Sequence, residues 1–174
     1  APHAGEYFYS PGHARTLTRI AETRGRAFYA GAIAEELVAH AARHEAVLTL
    51  EDLAHHRADW CGTICRQFDT ATLHEIPPNG QGIAALMALG ILSHTPIRDL
   101  EADDPLASHL QIEAVKLALR DAERFVADPD HMQPVTVSDL LGESYLKSRA
   151  AEIDLKPATD FGHGIPRNGG TVYL

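Results

Sequence analysis

Residues 75–86 read EIPPNGQGIAAL, a stretch that turns from extended chain into helix. Its two adjacent prolines have no N–H to donate and restrict φ to about −65°, so a strand must end there. The Asn-Gly pair that follows adopts positive φ easily, which predicts a tight reversal. Residues 83–92, IAALMALGIL, carry no charge, and a helix that is apolar on all sides is normally buried. The stretch therefore predicts a strand, a corner and a core helix around which other elements pack.

The composition of the chain is that of a globular protein. It has 174 residues, a hydrophobic fraction of 45% and a net charge of −9. This length allows a domain with its own core. The negative charge argues against nucleic acid and anionic membrane as partners, and no apolar run reaches transmembrane length. We expect a soluble protein with neither partner, in the cytoplasm or the periplasm.

The cysteines and histidines do not form a recognisable metal site. Cys61 and Cys65 are too few for a disulfide framework, and their spacing differs from that of a zinc knuckle. The eleven histidines are scattered, and His55 and His56 point in different directions on a helix. We expect no metal and no cofactor.

Three amphipathic helices are predicted in residues 1–60, which we interpret as a small helical lobe. The first begins at Ser10-Pro11, a cap followed by a proline at the first helical position, and can end at Gly25. The second begins near residue 30, and four apolar residues mark its inner face: Ile33, Leu37, Val38 and Ala41. The third opens with a capping box at residues 49–52.

Residues 61–153 are predicted to hold a hairpin, the core helix and a long helix. Stretches rich in β-branched and aromatic residues at 63–68 and 71–76 predict the hairpin, with Asp69 and Thr70 in its turn. Asp104-Pro105 starts the longest helix. Five apolar residues can share one face of it: Leu106, Leu110, Ala114, Leu117 and Phe125. Two short helices are predicted at residues 138–141 and 143–153.

The charged residues of the long helix suggest surface ion pairs. Glu113 and Lys116 are three residues apart, as are Asp121 and Arg124, and such exposed pairs contribute a few tenths of a kcal/mol, roughly. A catalytic Glu113 or Asp121 would need a cleft and a partner, which the sequence does not show. Residues 154–174 are rich in Pro, Gly, Asp and His and are predicted to be an exposed, mobile connector. The fold class expected is mainly α with a small β component.

Four stretches resemble one family. The PPNGQG of residues 77–82 with its small apolar helix resembles the large subunit of the gamma-glutamyltranspeptidase family. Residues 27–34 (AFYAGAIA), 48–54 (LTLEDLA) and 113–130 resemble further family stretches in the same order. These enzymes are N-terminal-nucleophile hydrolases, made as one precursor that cuts itself in two. The resemblance implies that the chain is a fragment of an α+β fold, an αββα sandwich with a flanking helical lobe.

The resemblance also implies a reactive residue near the end of the chain. In the family the precursor is cut just before a threonine, usually the first residue of a Thr-Thr-His motif. Thr171, in the GGTVYL of residues 169–174, falls on that threonine, whereas Val172 and Tyr173 depart from the next two positions. Thr171 is thus implied as the catalytic nucleophile and Gly170–Thr171 as the cleavage site; the substrate-binding residues stay unknown.

As partners, the resemblance implies a small subunit and an N-terminal large-subunit region of the same precursor, and a small γ-glutamyl substrate such as glutathione. The acyl group would pass to water or to an amino acid or peptide. We expect the fragment alone to be inactive, with an exposed strand edge and apolar surface through which copies could associate. Two alternatives stay open, a related glutaryl- or cephalosporin-type acylase or amidase, and a non-catalytic helical binding module.

Overall fold

The computed structural model describes residues 2–166. The contacts among these residues divide the chain after Asp59 into two compact units, and each is described by itself. The division of the sequence into residues 1–60, 61–153 and 154–174 remains a prediction.

The first unit is helical. Its four helices are α1 (Pro11–Glu22), α2 (Arg26–Ala30), α3 (Ala32–Arg43) and α4 (Leu50–His55). The sequence predicts α1, α3 and α4 but not the short α2. Gly25 lies at φ 85° and precedes α2, a left-handed conformation that glycine adopts without steric cost. The capping box is confirmed: Thr49 Oγ1 accepts the Asp52 N–H at 3.2 Å, and Asp52 Oδ2 accepts the Thr49 N–H at 2.8 Å.

The inner face of α3 differs from the prediction at one residue. Ile33 and Ala41 are buried as expected, but Leu37 is 37% exposed. Ala34 is buried instead, because α2 packs against the start of α3, where a Cβ on Gly31 would lie 3.1 Å from Ala27 Cα. Two of the three buried residues of this helix therefore lie in its first turn and the third, Ala41, in its last.

The second unit begins with the predicted hairpin. Strands β1 (Ile64–Phe68) and β2 (Ala71–Glu75) pair antiparallel, with Ile64 opposite Glu75 and Phe68 opposite Ala71. Asp69 in the two-residue turn has φ 52°, a conformation that aspartate tolerates better than most residues. The pairing is therefore confirmed without a glycine in the turn.

The corner after β2 is present, but its backbone is not the one expected. The predicted turn forms at residues 78–81, but the Pro78–Asn79 peptide bond is cis and neither Asn79 nor Gly80 has the positive φ expected of the pair. The glycine with a clear steric role here is Gly82, where a Cβ would lie 2.4 Å from Glu75 Oε2. The helix can therefore start close against the side chain that ends β2.

The core helix is confirmed. Helix α5 (Gly82–Leu92) packs against α6 (Pro105–Phe125) and α8 (Glu143–Ala150). Four of its large side chains are fully buried, and each contributes about 1.5–3 kcal/mol: Ile83, Leu86, Met87 and Ile91. The short α7 (Val137–Leu140) and two 3₁₀ helices, Pro96–Asp99 and Pro129–His131, connect these elements.

Helix α6 starts where the sequence predicts. Asp104 Oδ1 accepts the Leu106 N–H at 2.7 Å, with Pro105 in the first helical position. Three of the five predicted inner residues, Leu110, Ala114 and Leu117, are buried, and the other two are half-buried. In the described residues helices predominate around a single two-stranded sheet, so the fold class is confirmed. None of the helices described combines the length and apolar character needed to cross a bilayer.

Candidate functional site

Gly170 and Thr171 lie outside the described residues. The structure instead describes the chain that leads towards them, residues 154–166, which we call the approach segment. This part of the connector is largely exposed, as predicted, but Phe161 and Gly164 are buried and hydrogen bonds attach the segment to α6 and α8; its mobility stays a prediction.

The approach segment runs alongside α6 in the same direction. At its start, His109 Nε2 donates to the Asp154 carbonyl at 2.7 Å. Near its end, the ring of His163 lies 5.5 Å from that of Phe125.

The approach segment is first held at Thr159. The Thr159 N–H donates to Glu113 Oε2 at 3.0 Å, and its carbonyl oxygen accepts a hydrogen bond from Lys116 Nζ. Lys116 also donates to Glu113 Oε1 at 2.8 Å, so the two side chains bind both backbone polar groups of one residue, Thr159. Phe161 is buried in the core two residues later, with Lys116 Nζ 5.2 Å from its ring centroid.

The predicted Glu113–Lys116 pair therefore exists but is not a surface pair. Glu113 is 1% exposed, since the approach segment covers it. Burial alone would raise the pKa of Glu113, but hydrogen bonds from Lys116 and the Thr159 N–H outweigh it and hold that pKa below its ordinary value. Because the carboxylate is buried and Lys116 is half-buried, removing Lys116 costs more than the few tenths of a kcal/mol expected, roughly, from an exposed pair.

The second point of attachment is centred on Asp121, which is fully buried. The prediction that Asp121 pairs with Arg124 was wrong. Its Oδ2 accepts hydrogen bonds from Arg149 Nε at 3.0 Å and Tyr145 Oη at 2.7 Å. Its Oδ1 accepts the Gly164 N–H at 2.7 Å. One carboxylate thus joins α6, α8 and the approach segment.

Arg149 completes this network from α8. It is 1% exposed, and each of its three nitrogens has a partner. Besides Nε, its Nη1 donates to both carboxylate oxygens of Glu152 at 2.8 Å, and its Nη2 donates to the Gly162 carbonyl at 2.8 Å. The buried charge is therefore compensated by two carboxylates and a backbone dipole, as a buried guanidinium requires.

Gly164 lies too close to this network to carry a side chain. A Cβ there would lie 2.4 Å from Tyr145 Oη and 2.8 Å from Arg149 Cδ. Tyr145 is buried, and its burial, followed by its hydrogen bond to Asp121, raises its pKa far above the ordinary 10.0. The Tyr145 hydroxyl therefore stays protonated and keeps donating to Asp121. The hydrogen bonds around Gly164 then do not change with the protonation of Tyr145.

We call Asp121, Tyr145 and Arg149 the buried clamp. The sequence contains a signal for its first member, because the spacing of Leu110, Ala114 and Leu117 continues to position 121 and places it on the inner face of α6. No comparable signal identifies Arg149 as its partner, since the two are distant in sequence and meet only through packing.

Nothing in residues 2–166 offers a metal site of three or more His, Cys, Asp or Glu side chains. Cys61 and Cys65 are both free and exposed. The buried carboxylates of Glu113 and Asp121 are occupied by lysine, arginine, tyrosine and backbone donors. Their observed contacts are those of groups that hold the main chain in place.

Comparisons with known proteins agree with one another. The family model described as Gamma-glutamyltranspeptidase matches residues 1–174. The oxamate amidohydrolase proenzyme of Klebsiella pneumoniae subsp. pneumoniae is 36% identical over 100% of this chain and 32% of its own length. The glutathione hydrolase proenzyme of Pseudomonas aeruginosa is 34% identical over 87% of this chain and 28% of its own.

A solved structure shares both sequence and fold. The cephalosporin acylase from Bacillus halodurans is 39% identical, with a TM-score of 0.75 over 95% of this chain and 30% of that one. The chain spans less than a third of the length of these relatives.

Proposed function

The chain belongs to the gamma-glutamyltranspeptidase family, and from this premise we propose that it is part of a self-processing enzyme that cleaves γ-glutamyl amides such as glutathione. The acyl group is passed to water or to an amino acid or peptide. The observation that carries the proposal is the match over residues 1–174, since relatives that cover most of this chain include a glutathione hydrolase proenzyme.

In this proposal Thr171 is the nucleophile and Gly170–Thr171 is the bond that is cut. The Thr171 hydroxyl adds to the Gly170 carbonyl carbon, the C–O bond forms as the C–N bond breaks, and the hydroxyl proton ends on the released amine. Water then hydrolyses the ester, which frees the Gly170 carboxylate and restores the hydroxyl. The α-amino group, with a pKa near 8, can next act as the base for that hydroxyl in attack on substrate.

The remaining parts of the precursor are the proposed partners. They comprise a small subunit that starts at Thr171 and the large-subunit region before this chain, and the isolated chain is inactive without them. The short share of the relatives' length that the chain spans supports this proposal. So do three exposed apolar side chains on α6, at spacing that places them along one side of the helix: Ile112, Val115 and Leu119.

Thr171→Ala and Thr171→Ser in the full-length precursor test the nucleophile. The alanine variant should stay in one piece and fail to hydrolyse a γ-glutamyl anilide, whereas the serine variant, which keeps a hydroxyl, should still be cleaved. Intact mass gives the cleavage position directly. A precursor that is cut before residue 171 in the alanine variant would refute the assignment, and persistent hydrolysis would favour a non-catalytic role for this chain.

A second candidate is an amidase or acylase with the same threonine chemistry and a different acyl group. Two observations favour it, the 36% identity to an oxamate amidohydrolase proenzyme and the 39% identity to a cephalosporin acylase. The processed full-length enzyme should be assayed with γ-glutamyl anilide, glutaryl anilide and oxamate. A kcat/KM for either of the last two that exceeds the γ-glutamyl value would replace the first proposal by the second.

A further inference from the structure

We propose that Asp121 and Arg149 are positioning residues for self-cleavage, because the buried clamp fixes the backbone of residues 162–164, from which the chain continues to the Gly170–Thr171 bond. The inference rests on the proposed function for the identity of that bond.

The clamp divides its hydrogen bonds between scaffold and approach segment. Asp121 Oδ2 accepts hydrogen bonds from Arg149 and Tyr145, whereas Oδ1 accepts the Gly164 N–H at 2.7 Å. Arg149 uses Nε and Nη1 for carboxylates but Nη2 for the Gly162 carbonyl, at 2.8 Å. The Gly162 carbonyl and the Gly164 N–H are thus both held by the rigid pair of Asp121 and Arg149. Two such contacts fix the direction of the backbone as well as its position.

These contacts are made to the main chain, so side chains do not set the register. Gly164 sets it instead. A Cβ at this position would lie 2.4 Å from Tyr145 Oη and 2.8 Å from Arg149 Cδ. A slip of one residue in either direction would bring His163 or Ile165 into that contact. Only one alignment of the approach segment on α6 and α8 therefore fits.

Stability alone is a weak explanation for such a pair. Well-packed apolar residues often replace a buried ion pair with no loss of stability, because desolvation of the charges offsets their attraction. A pair whose free oxygen and nitrogen both bind the backbone of an adjoining segment does something that apolar side chains cannot do. It defines where that segment leaves the domain.

The effect on cleavage follows from the number of residues between the last described attachment and the proposed bond. From Gly164 to Gly170 there are six residues, whereas from Phe161, the preceding buried attachment, there are nine. Lengthening a connection by that ratio lowers its closure probability by about 1.8-fold. Attack also needs the reacting atoms about 3–3.5 Å apart and aligned, and misplacement by 1 Å can cost on the order of 100-fold. We expect cleavage to slow by about 10–100-fold when the clamp is lost.

The sharpest test is Gly164→Ala against Gly162→Ala in the full-length precursor. Both add one methyl group to the approach segment. At Gly164 the methyl meets Tyr145 and Arg149, but a Cβ at Gly162 has no atom within 4 Å and leaves its carbonyl available to Arg149. The decay of intact precursor should slow by about 10–100-fold in the first variant and stay within about 2-fold of wild type in the second. Equal rates in the two variants, slowed or not, would overturn the inference.

A second readout separates positioning from general damage. The clamp acts on the uncut chain, so enzyme that has matured slowly from Gly164→Ala should show wild-type kcat and KM for its substrate per mole of free Thr171 amine. A matching loss of kcat in the mature enzyme would indicate structural damage and refute a positioning role. If Gly164→Ala is insoluble, Asp121→Asn takes its place, and Gly162→Ala stays the control.

Thr171→Ala distinguishes failure of this inference from failure of the proposed function. If that precursor stays intact while Gly164→Ala is cut at the wild-type rate, the nucleophile stands and the positioning role falls. If Thr171→Ala is itself cut before residue 171, the proposed function falls.

Discussion

Replacing Tyr145 by phenylalanine tests the electrostatics of the buried clamp. The change removes one hydrogen bond, from the phenol to Asp121 Oδ2 at 2.7 Å, and leaves Arg149 Nε on the same oxygen. A hydrogen bond to a charged group contributes about 1.5–3 kcal/mol. Because the carboxylate keeps a partner, we expect the free energy of unfolding at neutral pH to fall by about 2 kcal/mol, within that range.

The same variant makes a prediction about alkaline pH. Burial and the hydrogen bond to Asp121 raise the pKa of folded Tyr145 far above the ordinary 10.0. A raised pKa in the folded state stabilises below the unfolded pKa and loses that contribution as pH rises above it, by about 1.4 kcal/mol per pH unit. The difference in unfolding free energy between wild type and Tyr145→Phe should therefore begin to shrink near pH 10 and vanish about 1.5 units higher.

Urea unfolding of the 174-residue chain, followed by far-ultraviolet circular dichroism across this pH range, measures that difference. All other titrating groups are common to the two proteins, so their contributions cancel in the difference in unfolding free energy. Tyr9→Phe, at a tyrosine that is 81% exposed, is the control and should change the free energy at neutral pH by less than about 0.5 kcal/mol. A difference for Tyr145→Phe that stays constant above pH 10, or that is absent at neutral pH, would refute the reasoning.

Two further predictions concern the scaffold. Gly90→Ala should destabilise by about 1–3 kcal/mol despite the better helix propensity of alanine, because its Cβ would lie 2.5 Å from Cδ1 of the buried Leu146. Gly12→Ala, where a Cβ meets nothing within 4 Å, is the matched control and should not destabilise; urea midpoints that rank the two the other way would contradict the packing argument. In the first unit, hydrogen bonds from Thr49 hold the pKa of Asp52 below its ordinary value. NMR titration should show that pKa return part of the way towards 3.8 in Thr49→Ala, which keeps the backbone N–H, and an unchanged value would exclude the Thr49 hydroxyl as a cause.

The buried clamp suggests how a loop-like composition can lie in one defined place. The approach segment contains Pro, Gly, Asp and His, and its backbone polar groups are not paired in a helix or sheet. Buried backbone groups must nevertheless find partners. Here the charged side chains of α6 and α8 supply them, so the segment needs no regular structure of its own to be fixed.

Local signals in the sequence determined most of the secondary structure. A proline after an aspartate starts α6 because the cap and the fixed φ act within one turn. The capping box of α4 and the β-branched and aromatic residues of the hairpin strands likewise act through near neighbours. The uncharged run of α5 required burial whatever surrounded it, because it has no polar face to turn towards water. The family, too, was recognisable from short stretches read in order.

Long-range packing decided the rest. Whether Asp121 pairs with Arg124 on the surface or with Arg149 in the core depends on which helix packs against α6, and local spacing does not contain that information. The same holds for Glu113, which is buried only because residues distant in sequence fold over it. Composition predicted an exposed connector but not the hydrogen bonds that hold the backbone of Thr159, Gly162 and Gly164, because composition reports a segment's own propensity and not the partners that other elements supply. The energy of a buried charge depends on everything around it, and that environment exists only in the folded chain.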